Sequence, residues 1–142
     1  MAKKLAALAA KYSDQEAAAY LAGLIDGEGC VSLCELKNGS QAGALRRVIT
    51  IGMTDREIID LAADLFDQLG IGYSRHDKAR PGKLRHVWVI SIHARIDLER
   101  AAELIPIRHS SKREKLQAIL NSYKTAKPYA RRSDHNSPAQ AA

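Results

Sequence analysis

Residues 21–29 read Leu-Ala-Gly-Leu-Ile-Asp-Gly-Glu-Gly, and this stretch decides the fold. Residues 13–16, just before it, read Ser-Asp-Gln-Glu, which is a capping box. In a capping box the Ser13 hydroxyl and the Glu16 carboxylate satisfy the first free N–H groups of a helix. The sequence therefore predicts a helix that begins at Asp14 and stops near Gly29.

One side of this helix carries almost no side-chain bulk. At 3.6 residues per turn, that side holds Ala19, Ala22, Gly23, Asp26 and Gly27. A glycine inside a helix costs on the order of 1 kcal/mol relative to alanine, so the two glycines need a compensating reason. Close approach of a second helix provides one, and we expect Ala19, Ala22, Gly23 and Asp26 to lie at a helix–helix interface. The alternative is an ordinary Ala/Gly-rich helix with a glycine cap.

Glu28 is placed unfavourably for stability. The C-terminal end of a helix is already the negative end of its macrodipole, so a carboxylate is disfavoured there. If two such helices pack side by side, two carboxylates converge with two negative helix ends. Bound cations would make that arrangement tolerable, and the pattern therefore predicts a divalent-metal site.

The motif at residues 21–29 resembles that of the LAGLIDADG homing endonucleases. Residues 70–73, Gly-Ile-Gly-Tyr, resemble a turn in the single-motif enzymes of group I introns. In that family, chains with one motif act as homodimers and chains with two fold as pseudo-symmetric monomers. This sequence holds one copy and no internal repeat, so the resemblance implies a homodimer.

The chain after the motif alternates between strand and helix patterns. We predict four strands, at 30–37, 45–53, 71–77 and 84–92, with helices after Asp55 and at 96–104 and 112–123. The order is αββαββαα. The resemblance implies an α+β fold with an αββαββα core, whose curved antiparallel four-stranded sheet saddles the major groove of DNA. We place the domain at 13–124, between an N-terminal extension (1–12) and a flexible basic tail (125–142).

The outward positions of that sheet are candidates for reading base edges, because a two-stranded ribbon fits the major groove. The predicted DNA-contacting residues are Ser32, Cys34, Asn38, Arg46, Thr50, Arg75 and Arg85. The register of the fourth strand is open. Either Trp88 faces the core, or the opposite register turns His86 and Trp88 toward DNA.

The family's active-site roles carry over by motif position. Glu28 takes the place of the metal-binding acid, and the Gly27 carbonyl takes that of a further ligand. Asp55 lies near the position of a polar residue that orients water, with a helix N-cap as the competing explanation. Lys112 matches the basic residue beside the scissile phosphate, against the alternative of one solvated lysine among many. Asp26 is predicted to be structural.

These residues imply Mg²⁺-dependent hydrolysis of phosphodiesters in double-stranded DNA, at a long, near-palindromic site. Ca²⁺ or Mn²⁺ would substitute for binding or activity. The alternative is a member that has lost cleavage and acts as a splicing maturase or a regulator, with RNA as a possible partner. No other cofactor is implied.

Charge agrees with a polyanionic partner. The net charge is +6, and residues 108–132 alone hold eight Lys/Arg and one acid. Arg75, Arg85 and the intervening Lys and Arg residues form a second basic cluster. Cys30 and Cys34 support neither a disulfide framework nor a zinc site. With no secretory or membrane-spanning pattern, we expect a soluble, intracellular protein without a membrane partner.

Overall fold

The computed structural model describes residues 11–78 and 85–125. The predicted basic turn at 79–84, most of the N-terminal extension and nearly all of the predicted tail lie outside these residues. Within them, no helix is both long and apolar enough to cross a membrane.

The described elements follow the predicted order αββαββαα. They are α1 (Asp14–Glu28), β1 (Gly29–Glu35), β2 (Leu45–Met53), α2 (Arg56–Gln68), β3 (Ser74–Lys78), β4 (Val87–Ile92), α3 (Arg95–Leu104) and α4 (Ser110–Thr125). The third strand begins three residues later than predicted, because residues 70–72 complete the exit from α2. Gly70 has a φ of +67°, and the Ile71 N–H donates to the Phe66 carbonyl.

The predicted capping box sets the start of α1. The Ser13 hydroxyl accepts the Glu16 N–H at 3.1 Å, and the Glu16 carboxylate accepts the Ser13 N–H at 3.4 Å. From there α1 buries Leu21 and Ile25 completely in the main core. The helix passes straight into β1, because Gly29 is both its C-cap and the first strand residue. The chain therefore delivers Glu28 to one end of the sheet.

The four strands form one antiparallel sheet in the order β1-β2-β4-β3. One face packs against the helices, and we call it the helix face. Its residues in the core or packed against it are Val31, Leu33, Ile49, Ile51, Met53, Trp88, Ile90 and Ile92. The predicted alternation in β1 and β2 is therefore confirmed. The fourth strand takes the register with Trp88 toward the core, paired with Met53.

The opposite side of the sheet is the open face. By the strand register it carries Cys30, Ser32, Cys34, Arg46, Val48, Thr50, Gly52, Ser74, His76, Val87, Val89 and Ser91. Three residues near its middle, Val48, Val89 and Ser91, are buried although they face away from the helices.

Arg75 lies on the face opposite to the predicted one. It pairs with Ile90 across the β3–β4 ladder, so it shares the helix face. There its guanidinium forms an ion pair with Asp60 of α2. The later start of β3 explains the error, since a shift of one residue along a strand reverses every side chain.

Two charged side chains hold the C-terminal end of α1 to the N-terminal end of α4. The Asp26 carboxylate accepts the backbone N–H groups of Arg108 and His109, at 2.9 to 3.1 Å. In return, Lys112 Nζ donates to the carbonyls of Ile25 and Asp26, at 2.9 and 2.7 Å. An acid thus occupies the positive end of α4 and a cation the negative end of α1. We call this pair of contacts the α1–α4 clasp.

The other end of α4 is held by the sheet. Arg47 of β2 donates from Nε to the Ser122 hydroxyl at 2.7 Å, and its guanidinium lies 4.4 Å from the centre of the Tyr123 ring. Arg95 contacts the same ring at 4.9 Å. Burial raises the pKa of the Tyr123 hydroxyl, and the neutral ring accepts both cations on its faces. Contacts near both ends thus fix the position of α4.

The clasp predicts a specific dependence of stability on pH. The His109 N–H bond is the main reason that the pKa of Asp26 lies below its ordinary value of 3.8. The Asp26 carboxylate therefore binds a proton more readily in the unfolded chain than in the folded one. Its ionised form stabilises the fold at pH values above 3.8, and this contribution is lost as the pH falls through the lowered pKa of the folded state. Asp26→Asn should cost about 1 kcal/mol at pH 7, because the amide keeps an acceptor oxygen but loses the charge that strengthens these hydrogen bonds.

Urea unfolding between pH 7 and pH 3 measures this contribution. The difference in free energy of unfolding between wild type and Asp26→Asn should shrink as the pH falls. Glu103→Gln, a change at an exposed acid of α3, should follow the wild type throughout. A difference that stays constant over this range would contradict the assigned role of the carboxylate.

Candidate metal site and nucleic-acid interface

Glu28 is the last residue of α1 and is exposed. The next residue, Gly29, pairs with Ile51 and opens the β1–β2 ladder. Glu28 therefore lies at the corner where α1 meets the sheet, with its carboxylate free to receive a ligand from solvent. The helix brings no basic residue of its own in the last turn to offset this charge.

Lys112 reaches this corner from α4. Its ammonium binds the carbonyls of Ile25 and Asp26, which immediately precede the predicted metal-ligating carbonyl of Gly27. Lys112 is therefore not a freely solvated lysine. Its ammonium lies at the same end of α1 as Glu28. It places a fixed positive charge beside the end of α1, where anionic phosphate and the negative helix end would otherwise repel each other.

Asp55 is the N-cap of α2. Its carboxylate accepts the N–H groups of Glu57 at 2.9 Å and Ile58 at 3.3 Å. This is the alternative that its position before a helical pattern left open. The carboxylate is exposed, so capping does not remove it from solvent, but the capping bonds account for the residue without a catalytic role.

The predicted metal ligands are few in a single copy of the chain. Glu28 would supply a carboxylate and Gly27 a backbone carbonyl, and hard oxygen donors of this kind suit Mg²⁺ and Ca²⁺. Among the described residues, no group of three His, Cys, Asp or Glu side chains is close enough together to hold a metal ion. The donors fit Mg²⁺ in type, but further ligands from DNA, water or a second copy are needed.

The outer side of α1 is open around its glycines. A Cβ added at Gly23 or Gly27 would meet no atom within 4 Å. Ala19 and Tyr20 are exposed on the same helix. Ala22 is the exception to the predicted interface, because only 5% of its surface is accessible and it packs in the core of its own chain.

Asp26 likewise acts within its own chain. Its carboxylate is engaged by α4 through the α1–α4 clasp, which agrees with the predicted structural role. The exposed small-residue surface of α1 is therefore narrower than the sequence indicated, and Gly23 lies within it. Among residues 11–78 and 85–125, no other helix comes within 4 Å of a Cβ built at this glycine.

The open face collects most of the predicted DNA-contacting residues. Ser32, Cys34, Arg46 and Thr50 lie on it together, with Cys34 paired to Arg46 across the β1–β2 ladder. Asn38 is exposed in the loop between β1 and β2, and Arg85 is exposed just before β4. These two lie at the ends of strands rather than within the sheet.

Ser74 and His76 were not among the predicted DNA-contacting residues. They lie on the open face of β3, where Arg75 was expected. Both are exposed on β3 and belong to the open face. The strand is five residues long, with no run of alternating apolar residues to define its register. The only signal was Gly70-Ile71-Gly72, whose glycines favour a turn over a strand start.

Negative charge is gathered on the helix side. Asp60, Asp64 and Asp67 follow one another on α2, and burial and then the two neighbouring acids raise the pKa of Asp64. Burial and the charge of Asp67 also raise the pKa of the Tyr73 hydroxyl, to about 12. The described residues of the open face, listed above, include no acid. A polyanion would therefore meet less repulsion on the open face than on α2.

Comparison with known proteins agrees with this architecture. The family model described as a LAGLIDADG-like domain matches residues 15–106. Comparison with curated proteins found no match.

Several solved homing endonucleases share the fold. One is I-CvuI, whose structure holds the I-CreI target in the presence of 2 mM Mg with the DNA not cleaved. It has a TM-score of 0.58 and 21% identity, and the match covers 78% of this chain and 68% of that chain. I-TnaI has a TM-score of 0.54 at 18% identity, covering 75% and 72%. I-CpaMI bound to uncleaved DNA has a TM-score of 0.55 at 18% identity, covering 82% and 41%.

The family match spans α1 through α3, including the motif helix, the whole sheet and Glu28. Together with the four-stranded antiparallel sheet and the helix that ends at its corner, it shows that this chain belongs to the LAGLIDADG family.

Proposed function

We propose that this protein is a homing endonuclease that cuts double-stranded DNA at a specific, long site in a Mg²⁺-dependent reaction. The observation that carries the proposal is the corner at the end of α1. It holds an exposed acid that is unfavourable for stability, Glu28, beside a cation fixed on the neighbouring carbonyls, Lys112. The sheet face that starts at this corner carries hydroxyl, thiol and arginine side chains and no acid among its described residues.

We further propose that the active form is a homodimer. The exposed glycine surface of α1 allows a second α1 to approach closely, which would bring the two Glu28 carboxylates together. Each copy would then supply the ligands that the other lacks. A two-fold axis between the two sheets explains a near-palindromic target, because each open face would read one half-site.

In this reaction the chain's own residues bind and orient the phosphodiester. Glu28 and the Gly27 carbonyl would hold Mg²⁺, which supplies positive charge and activates water when bound. Lys112 would stabilise negative charge that develops on the phosphate. The α1–α4 clasp keeps Lys112 and Glu28 on fixed elements, so little reorganisation is needed when DNA arrives.

Intron homing, a splicing-maturase role and RNA binding rest on the family resemblance alone. The placement of Glu28 favours the nuclease, because a protein that only binds nucleic acid gains nothing from a carboxylate at the negative end of a helix.

Glu28→Gln tests the metal-binding acid. Cleavage of DNA should be lost, since an amide is a poor ligand for Mg²⁺, while binding of the same duplex in Ca²⁺ should persist. The melting temperature should stay level or rise, because a negative charge leaves the helix end. Gel assays with a library of candidate insertion sites and thermal melting measure both effects. The matched control is Glu103→Gln, which should cut like wild type.

Lys112→Met tests the fixed cation. Cleavage should fall by about 10²–10³-fold, the usual effect of removing one group that stabilises transition-state charge. Lys115→Met makes the same change at an exposed position of α4, away from the helix end, and should have little effect on single-turnover cleavage. Equal losses in the two variants would show that only total charge matters and would contradict the role given to Lys112.

Gly23→Leu tests the homodimer. The side chain enters open space in the single chain, so the fold should persist, but the second helix could no longer approach. Sedimentation should show monomers for this variant and dimers for wild type. Ala118→Leu, at an exposed site on α4, controls for added apolar surface. A Gly23→Leu variant that remains dimeric and active would contradict the proposed interface.

A further inference from the structure

Gly52 is a glycine that the fold does not require. It lies within β2 on the open face and is half-buried. Its φ is not positive, so the backbone conformation there is open to any residue. Glycine in a strand interior weakens the strand, and it often marks a place where a ligand or another backbone comes close.

The space around Gly52 would accept a side chain. A Cβ built there would lie 3.6 Å from Val87 Cγ1 and 3.7 Å from Val89 Cγ2. Both are ordinary van der Waals distances. Alanine would therefore fit the free protein and would favour the strand, and neither sterics nor backbone geometry within the chain accounts for glycine at this position.

The position of Gly52 connects it to the candidate metal site. The β1–β2 ladder begins with Gly29 opposite Ile51, and Glu28 and Gly52 are the residues next to this first pair, one on each segment of the chain. Val89 lies directly across from Gly52 on the other neighbouring strand. The missing side chain leaves a space on the open face beside Val87 and Val89, at the end of the sheet where α1 enters β1. We call it the Gly52 notch.

We propose that the Gly52 notch seats a deoxyribose of the DNA strand whose phosphate is held at Glu28. This inference rests on the proposed function and adds a binding residue to it. The atoms within 4 Å of a Cβ built at Gly52 are methyl groups of Val87 and Val89. An apolar lining suits the C–H surface of a sugar, whereas a phosphate or the polar edge of a base would lose hydrogen bonds there.

A contact to the sugar has a distinct signature. Sugar and phosphate contacts position the duplex without reading its sequence, whereas contacts to base edges specify it. Filling the notch should therefore weaken binding to all duplexes alike. Filling the notch should also move the phosphate away from Glu28. The cleavage rate should then fall by a larger factor than the binding affinity, because a displacement of about 1 Å strongly slows a reaction that depends on positioning.

The test uses Gly52→Ala and Gly52→Val in the full chain. Duplexes are selected by wild type from a randomised DNA library in Ca²⁺, and dissociation constants and single-turnover cleavage rates in Mg²⁺ are then measured for all three proteins. We expect binding to weaken about tenfold with alanine and further with valine, with a larger loss of cleavage. Melting temperatures should equal or exceed that of wild type. The sequence preference selected by Gly52→Ala should match that of wild type.

Any other outcome would overturn the proposed sugar contact, and the outcomes differ in what they leave standing. Unchanged binding and cleavage in both variants would overturn the seat while leaving the proposed nuclease intact. A lower melting temperature for Gly52→Ala would show that the fold itself needs glycine. A changed sequence preference would assign the notch to a base edge instead. If wild type selects no duplex at all, the proposed function fails, and the seat fails with it.

Discussion

The structure depends on the exchange of charges between the end of α1 and the start of α4. Asp26 satisfies two N–H groups of the Arg108-His109 segment, and Lys112 satisfies two carbonyls of α1. Each charge lies at the helix end of opposite sign, so each helix is stabilised by a side chain from the other. Because α1 continues directly into β1, this clasp also fixes the corner of the sheet. Glu28 can then remain exposed, and it forms no ion pair with another described residue.

This arrangement separates the two acids of the motif by function. Asp26 faces α4 and is used for folding, and its lowered pKa keeps it ionised for that purpose. Glu28, two residues later, lies at the exposed end of the helix. Two positions along a helix point to different sides, so one short segment can serve both packing and the ligand binding proposed for Glu28. The same segment carries Gly23, which leaves the outer side of α1 open for a second copy.

Much of this was predictable from local patterns. The Ser13–Glu16 capping box, the alternation in β1 and β2 and the helical spacing in α2 each depend on a few neighbouring residues, and all three predictions are confirmed. The face of Arg75 was not predictable, because β3 is short and begins after a glycine turn. Neither the clasp nor the Gly52 notch could be derived from spacing, because each depends on packing between distant segments. The family resemblance singled out Lys112, but its contacts with the Ile25 and Asp26 carbonyls could not be derived from the sequence.

The central claim is that two copies of Glu28, one from each subunit, act on one DNA duplex. Mixed dimers of wild type and Glu28→Gln, formed by unfolding and refolding together, test it directly. If double-strand cleavage needs both carboxylates, an equal mixture should retain roughly a quarter of the wild-type rate, because random pairing leaves that share of intact dimers. A rate of roughly half, falling linearly with the fraction of variant, would show that each chain cuts alone and would contradict the account.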